Sequence, residues 1–281
     1  MNLSDINTVR ALLQKNGFTF KKSLGQNFLI NPDVCPAMAD AACDKDTGVI
    51  EIGPGIGVLT AELSARAKRV IAIELDERLK KILPVTLSEC ENVEIIYGDV
   101  LKTDLKALIA EKFSDCKRVA VCANLPYYIT SPIVMSLLES KLPIDSITVM
   151  VQKEAAERLC AKVGTRQAGA VSVAVSYYAE PEILFGVDKD SFMPPPKVDS
   201  AVIQLHIREN PPVKVGNEEG FFRLVKACFA QRRKTLVNTV SGTAGIDKES
   251  IKKALAKLGL SETVRGERLT LEELAELSNL I

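Results

Sequence analysis

The chain has 281 residues, of which 47% are hydrophobic and 26% are charged. This balance is typical of a soluble globular protein and excludes a disordered or collagen-like chain. Lys plus Arg and Asp plus Glu each number 36, so the net charge is zero and by itself indicates no nucleic-acid partner. A chain of this length buries enough surface to fold without disulfides or structural metals.

The cysteines and the single histidine give no indication of a metal site. Seven cysteines occur, an odd number, and none are spaced C-x-x-C. We therefore expect reduced, buried thiols and no zinc site. His206 falls on the polar side of an alternating strand pattern, so we expect it to face solvent. No apolar stretch approaches the ~20 residues of a membrane span, and no signal-peptide core opens the chain, which predicts a cytoplasmic protein with no membrane association.

The predicted elements of the first two thirds of the chain alternate between helices and strands. Residues 4–16 and 33–42 are predicted helices, separated by a basic, glycine-containing segment. Predicted strands follow at residues 48–52, 69–74, 93–97, 119–123 and 147–151, with helices at 58–67, 76–88, 105–112 and 132–139 between them. Short apolar strands separated by helices are typical of a parallel sheet covered on both faces.

Two further predicted strands and a helical tail complete the chain. Residues 171–178 and 201–208 alternate as strands do, and could pair antiparallel at one edge of the sheet. Residues 209–217 are rich in turn formers and mark a boundary. Beyond them an apolar stripe at 221–240 and a capping box at 270–273 indicate helices. We predict an α/β domain over residues 1–208 and a small all-α domain over 209–281.

The first chemical motif is the glycine-rich turn at residues 51–57, EIGPGIG, after the first strand of the sheet. Its G-x-G-x-G spacing differs from that of dinucleotide binders, and alone it is equally consistent with an ordinary turn. Glu74 ends the next strand about 20 residues later, where a carboxylate can bind both hydroxyls of a ribose. Asp99 ends the third strand. Because such strand ends converge on one crevice, the three features together indicate a nucleotide-like ligand.

The second motif, Asn124 to Tyr127 (NLPY), ends the fourth strand. The Asn124 side-chain oxygen and the backbone carbonyl that precedes Pro126 offer two acceptors to a planar exocyclic amine. Accepting both N–H groups would free the nitrogen lone pair for attack. Tyr127 supplies a ring on which a base can stack. The alternative, a strand-to-helix turn closed by proline, is less favoured beside the glycine turn and the two acids.

The third motif is FMPPPKV, residues 192–198. Its rigid polyproline stretch could present Phe192 as a second aromatic wall, although a loop anchor in the core is an equal alternative.

Positive charge is concentrated in two places. Between residues 220 and 245 there are five cations and no acid: Arg223, Lys226, Arg232, Arg233 and Lys234. Lys21 and Lys22 form a second basic spot. Such runs are usually solvated faces, but beside a site for a base they favour phosphate contacts.

Residues 23–29, 51–57, 124–127 and 192–198 occur in an order that resembles the rRNA adenine N6-dimethyltransferases, which use S-adenosylmethionine. The resemblance extends from about residue 20 to the C-terminus. Residues 229–236 and 265–269 are similar to the bacterial branch that dimethylates two adjacent adenosines near the 3′ end of small-subunit (16S) rRNA. The resemblance implies a Rossmann-like methyltransferase sheet followed by the small helical domain.

The resemblance also implies a role for each motif residue. Contacts to the methyl donor would come from Asn27, Leu29, Gly53, Glu74, Asp99 and Asn124. The flipped target base would lie against Tyr127 and Phe192 beside Asn124, so these three residues form the expected catalytic set. RNA contacts are expected from Lys21, Lys22, Arg223, Arg232, Arg233 and Lys234. Two departures alter the pocket wall: Tyr128 stands where many relatives carry Asn, and Cys122-Ala123 precede Asn124 where Gly is frequent.

The expected function is dimethylation of small-subunit rRNA within the subunit or its precursor by a monomeric, metal-free enzyme that contributes to subunit biogenesis. One alternative is a ribosome-assembly or transcription factor that keeps the fold without turnover. Others are a large-subunit rRNA adenine dimethylase and a DNA adenine methyltransferase. A nicotinamide dehydrogenase is disfavoured by the glycine spacing.

Overall fold

A computed structural model describes residue 3, residues 5–18 and residues 27–281 of the chain. Its contacts divide the chain into two compact units. The sheet unit comprises the described residues of Met1–Ala156 together with Glu182–Ile207, and the helical unit comprises Glu157–Pro181 and Arg208–Ile281. The chain thus crosses between units near residues 156, 181 and 207, and residues 157–181 belong with the helical tail.

Strands and α-helices follow one another as the sequence pattern predicts over most of the chain. In chain order they are α1 (Ile6–Lys15), β1 (Phe28–Leu29), α2 (Val34–Ala42), β2 (Thr47–Ile52), α3 (Val58–Arg66), β3 (Arg69–Glu74), α4 (Leu83–Thr86), β4 (Val93–Tyr97), α5 (Leu105–Lys112), β5 (Arg118–Asn124), α6 (Thr130–Glu139), β6 (Ser146–Gln152), α7 (Lys153–Leu159), α8 (Ala170–Tyr178), β7 (Ala179–Val187), β8 (Phe192–Met193), β9 (Ser200–Ile207), α9 (Glu218–Phe229), α10 (Leu236–Ala244), α11 (Lys248–Lys257) and α12 (Leu271–Leu280). Short 3₁₀ helices lie at Glu77–Lys81, Val100–Lys102, Lys189–Ser191 and Gly266–Arg268.

The main sheet has seven strands in the order β4-β3-β2-β5-β6-β9-β7. The pairs from β4 through β6 are parallel, and β9 pairs antiparallel with β6. All six residues of β2 are buried, as expected for a central strand covered on both faces. Strand order reverses between β2 and β5, because β3 and β4 lie on one side of β2 and β5 and β6 on the other. This α/β architecture confirms the predicted fold class.

The predicted strand at residues 171–178 is wrong, because this segment forms the helix α8. Its alternating valines satisfy a strand pattern, but Val173 and Tyr177 are four residues apart and both pack into the core of the helical unit with Phe221. The Ser172 hydroxyl accepts a hydrogen bond from the Gly169 N–H at 2.9 Å and fixes the start of the helix. The strand instead begins at Ala179 and takes the sheet edge as β7.

The apolar stripe at residues 221–240 belongs to two helices, α9 and α10, and not to one. The chain turns at Gln231–Lys234, where the Lys234 N–H donates to the Gln231 carbonyl at 2.9 Å. The apolar residues of both helices still face one hydrophobic core, which Val225 enters from α9 and Val240 from α10. At the C-terminus the predicted capping box is confirmed, with reciprocal hydrogen bonds between Thr270 and Glu273.

The remaining sequence expectations concern thiols, histidine and membrane spans. All seven cysteines lie in the described part of the chain and are free; Cys35, Cys122 and Cys228 are buried and the others are partly buried. His206 is exposed, as predicted, and its Nε2 lies 3.0 Å from Glu182 Oε1. None of the helices within the described ranges combines the length and apolar character needed to cross a bilayer.

Candidate functional site

A cleft in the sheet unit lies at the carboxyl ends of β2, β3, β4 and β5. The motifs predicted from the sequence meet in its wall. The predicted residues that line it are Asn27, Leu29, Gly53, Glu74, Asp99, Asn124, Tyr127 and Phe192. In open α/β sheets the crevice beside a reversal of strand order is the usual ligand site, which explains why these distant segments converge there.

The glycine turn exposes its backbone to the cleft. Gly53, Gly55 and Gly57 have φ values of 69°, 58° and 92°, in the left-handed region that other residues rarely adopt. The Gly53 N–H donates to the Ile73 carbonyl at 2.9 Å, which ties the turn to β3. A side-chain carbon added at Gly53 would meet no atom within 4 Å, so nothing covers the backbone there. A ligand can therefore approach the peptide groups closely.

Glu74 is held rigidly at the end of β3. Its Oε2 accepts from the Gly55 N–H at 3.2 Å, and its Oε1 accepts from the Asp76 N–H at 2.6 Å. Burial raises the pKa of Glu74 to about 6, although these two backbone bonds oppose the rise. The Gly98 N–H donates to the Glu74 carbonyl at 2.9 Å and brings the end of β4 alongside. Glu74 is thus ionised at neutral pH and preoriented at the cleft.

Glu51 is a second acid in the cleft wall, and the sequence analysis gave it no role of its own. It is 1% exposed, and burial raises its pKa to about 8, with the nearby Glu74 charge adding to the rise. The Thr60 hydroxyl opposes the rise, yet neither Glu51 Oε2 nor Thr60 Oγ1 has a hydrogen-bond partner of good geometry among the described residues. Glu51 is therefore mostly protonated at neutral pH and has an unsatisfied oxygen.

Asp99 follows β4 and is held by its own 3₁₀ turn. Its Oδ1 accepts from the Leu101 N–H at 3.0 Å, and its Oδ2 lies 3.8 Å from Lys102 Nζ. Leu75 and Leu101 stand beside the two acids with 52% and 41% of their surfaces exposed. Of these two leucines, Leu75 lines the cleft, whose wall therefore combines the two carboxyl groups with an uncovered apolar side chain.

Asn124 is the last residue of β5, and its chain neighbours are anchored while its side chain is not. The Leu125 N–H donates to the Met150 carbonyl at 3.1 Å. Within the described ranges, no hydrogen bond engages the Asn124 side chain or the Leu125 carbonyl oxygen. The Tyr127 hydroxyl lies 2.8 Å from Ser200 Oγ, which fixes its ring. Both acceptors predicted from the sequence are thus available next to an immobilised aromatic ring.

A two-stranded ladder joins the N-terminal segment to the polyproline motif. β1 and β8 pair antiparallel, with Leu29 opposite Phe192 and Phe28 opposite Met193. The Ile30 N–H donates to the Ser191 carbonyl at 2.9 Å and extends the ladder. Phe192 is 3% exposed and lines the cleft, so it is anchored in the core beside the site, and its contact with a target base stays a prediction.

The predicted RNA-binding residues that the structure describes all belong to the helical unit. Arg223, Arg232, Arg233 and Lys234 are exposed. Arg232 differs from the others because it donates to the Ala168 carbonyl at 2.6 Å and to the Arg166 carbonyl at 3.3 Å. Arg232 therefore connects the turn at Gln231–Lys234 to the loop that precedes α8. Lys21 and Lys22 lie outside the described residues.

Sequence reasoning missed Ser200 as the partner of Tyr127, and it missed the unpaired state of Glu51 and Thr60. Ser200 opens β9, 73 residues beyond Tyr127, and no local pattern links the two. Glu51 could have been singled out, since an acid inside an otherwise apolar central strand is unusual.

Replacing Glu51 by Gln should change how stability depends on pH. The folded protein keeps Glu51 protonated up to about pH 8, while the unfolded chain ionises it near its ordinary pKa of 4.5. Between these two pKa values the unfolded state binds fewer protons than the folded state. The contribution of the Glu51 carboxyl group to the free energy of unfolding is therefore complete below pH 4.5 and is lost as pH rises towards 8. Between pH 5 and pH 8 the free energy of unfolding of Glu51→Gln should rise relative to the parent by roughly 2–4 kcal/mol.

Urea unfolding at a series of pH values measures this difference. The exposed Glu89→Gln is the matched control and should follow the parent curve. Parallel curves for Glu51→Gln and the parent would contradict a buried, protonated Glu51.

Replacing Arg232 by Ala should lower the free energy of unfolding by about 1 kcal/mol, because two carbonyl groups lose their donor. Arg233→Ala is the matched control, and as an exposed substitution it should change stability by less than ~0.5 kcal/mol. Chemical denaturation of both variants makes the comparison. Equal stability of the two would show that the Arg232 hydrogen bonds contribute nothing.

Comparisons with known proteins identify the family to which the chain belongs. Residues 17–281 match the family model described as ribosomal RNA adenine dimethylase. Proteins named ribosomal RNA small subunit methyltransferase A are similar: that of Geobacillus thermodenitrificans is 51% identical over 97% of this chain and 94% of its own length, and that of Bacillus pumilus is 50% identical with the same coverage.

Among solved structures, a dimethyladenosine transferase from Plasmodium falciparum superimposes with a TM-score of 0.70 at 26% identity, covering 89% of this chain and 95% of that one. The 23S rRNA methyltransferase ErmE gives 0.69 at 28% identity, covering 90% and 99%. The chain belongs to the ribosomal RNA adenine dimethylase family.

Proposed function

We propose that this protein transfers methyl groups from S-adenosylmethionine to N6 of two adjacent adenosines near the 3′ end of small-subunit rRNA. The observation that supports this most strongly is the unengaged pair of acceptors, Asn124 Oδ1 and the Leu125 carbonyl, beside the Tyr127 ring. These groups share one cleft with the glycine turn and Glu74. Relatives that are 50–51% identical carry the name small subunit methyltransferase A.

The cleft suits S-adenosylmethionine in charge and in shape. The donor is a cationic nucleoside, and the wall supplies the carboxyl groups of Glu74 and Asp99, with the mostly protonated Glu51, but no Lys or Arg among the described residues. Glu51 Oε2 is a buried oxygen with no hydrogen-bond partner among the described residues. We assign Glu74 to the ribose hydroxyls, Asp99 to the adenine amine, and Gly53 with Asn27 and Leu29 to the methionine end. When bound, the donor supplies an electrophilic methyl group on a sulfonium leaving group.

The target amine is activated by hydrogen bonding and not by a strong base. Asn124 Oδ1 and the Leu125 carbonyl oxygen accept hydrogen bonds from the two N–H groups of the target amine, which draws N6 towards a tetrahedral geometry. The N6 lone pair then forms the new N–C bond while the S–C bond breaks and leaves its electron pair on sulfur. The cationic N6 loses one proton to solvent. Positioning and electrostatics account for the rate, because the leaving group is already good.

The target base must leave its stack to reach Asn124. Unstacking costs a few kcal/mol, and stacking of the base on an aromatic side chain stabilises the complex by ~1–3 kcal/mol per base. Tyr127, fixed by Ser200, and the buried Phe192 supply the two aromatic surfaces. Both lie in the sheet unit, within the proposed catalytic domain of residues 1–208.

The remaining residues serve to dock the substrate. The proposed docking domain, residues 209–281, carries Arg223, Arg232, Arg233 and Lys234, and Lys21 and Lys22 add positive charge from the N-terminal segment. Phosphate contacts of this kind fix register on the RNA without reading its sequence. The proposal places a monomeric protein in the cytoplasm, acting on the small subunit or its precursor.

Methylation of ribosomal subunits tests this function. The protein is incubated with labelled S-adenosylmethionine and small subunits that lack the modification, and rRNA nucleosides are analysed by mass spectrometry. N6,N6-dimethyladenosine at two adjacent positions near the 3′ end is the expected product. Large subunits and DNA are offered in parallel reactions, and label in either of these but not in small subunits would contradict the substrate. Binding of donor and subunit without any transfer would instead support a non-catalytic assembly factor.

Asn124→Ala should lower kcat by at least 10²-fold, the loss typical of removing one group that stabilises a transition state. Donor affinity should change by less than tenfold, because Glu74 and the glycine turn remain. Single-turnover methylation of small subunits and calorimetric titration of the donor give the two values. The melting temperature of the variant serves as the folding control. Unchanged turnover would refute the role of Asn124.

A further inference from the structure

Tyr128 is an aromatic side chain at the mouth of the cleft that the proposed reaction leaves without a role. It is 58% exposed, more than any other large hydrophobic residue that the structure describes. It lines the same cleft as Asn124 and Tyr127. Among the described residues it makes no hydrogen bond, ring contact or cation–π contact. An aromatic ring left this open to water is available for a flat partner.

The backbone around Tyr128 is well anchored although its ring is exposed. On one side, the Tyr127 hydroxyl is held 2.8 Å from Ser200 Oγ. On the other side, the Ile129 N–H donates to the Pro126 carbonyl at 3.1 Å, and the buried Thr130 begins α6. Tyr128 is therefore presented from a fixed turn, so ordering it against a ligand costs little conformational entropy.

The chemistry of this part of the wall favours a base over a phosphate. No Lys or Arg lines the cleft among the described residues, whereas apolar and aromatic side chains do. Single-stranded RNA is bound on such surfaces by stacking, with successive bases on successive aromatic rings. Tyr127 and Tyr128 are consecutive in the chain, so a base held at Tyr127 places the neighbouring nucleotide within reach of Tyr128.

We propose that Tyr128 stacks on the base next to the target adenosine and holds the substrate while N6 reacts. This inference rests on the proposed function, in which the two target adenosines are adjacent, so the stacked neighbour is the other target. Stacking supports RNA engagement, not donor binding. Its loss should therefore lower kcat/KM for the subunit and leave the donor Kd unchanged.

Four variants test the proposal on unmethylated small subunits: Tyr128→Ala, Tyr128→Asn, Tyr128→Phe and the control Ile183→Ala. Ile183 is 46% exposed and lies on β7, outside the residues that line the cleft. Tyr128→Ala and Tyr128→Asn should lower kcat/KM roughly 5- to 150-fold, the range that corresponds to one lost stacking contact. Tyr128→Phe keeps the ring and should retain most of the efficiency. Ile183→Ala should match the parent.

Donor titration and product analysis separate the possible outcomes. Equal kcat/KM for Tyr128→Ala and the parent overturns the inference. A loss of kcat/KM in Tyr128→Phe as large as that in Tyr128→Ala also overturns it, because the effect would then come from the hydroxyl group and not from the ring. A weakened donor Kd in Tyr128→Ala also overturns it, because the ring would then contact the donor. An inactive parent protein that still binds donor and subunit overturns the proposed function itself, and the inference with it.

Discussion

Parallel pairing of β2 with β3 on one side and with β5 on the other determines where the glycine turn, Glu74 and Asn124 lie. The register sets Glu51 opposite Ala72 in β3 and opposite Cys122 in β5, so the strands end at nearly the same level. The glycine turn, Glu74 and Asn124 follow directly from those ends. Because the order of the strands reverses at this point, the loops diverge and leave a cleft between them.

The same constraint explains the unusual electrostatics of the cleft. Glu51 and Glu74 are drawn into a region where burial raises the pKa of both carboxyl groups. Glu74 has two backbone N–H donors and remains ionised at neutral pH, whereas Glu51 has an oxygen that finds no partner in the described part of the chain and is mostly protonated. Two acids less than 25 residues apart in sequence thus differ in charge because Glu51 is buried more completely and lacks the two backbone donors that Glu74 has. A cationic ligand would offset the cost of burying the Glu74 charge.

Local patterns predicted most of the fold and most of the cleft. Glycines at 53, 55 and 57, and acids or amides at strand ends, are local signals, and the α/β topology brings them together. The segment 171–178 was misassigned because its valines alternate as in a strand, while its true environment is a helical core formed with Phe221. Long-range contacts escaped prediction for the same reason: Ser200 binds Tyr127, and Arg232 binds the carbonyls of Arg166 and Ala168, without any sequence signal for either pair.

A crystal structure of the protein with S-adenosylmethionine bound would test whether one cleft at the strand ends holds the donor and activates the target amine. We expect the ribose hydroxyls to lie within hydrogen-bonding distance of the Glu74 carboxylate and the methyl group to face Asn124 Oδ1. A donor bound outside this cleft would contradict this expectation. A donor within the cleft whose methyl group points away from Asn124 would contradict it equally.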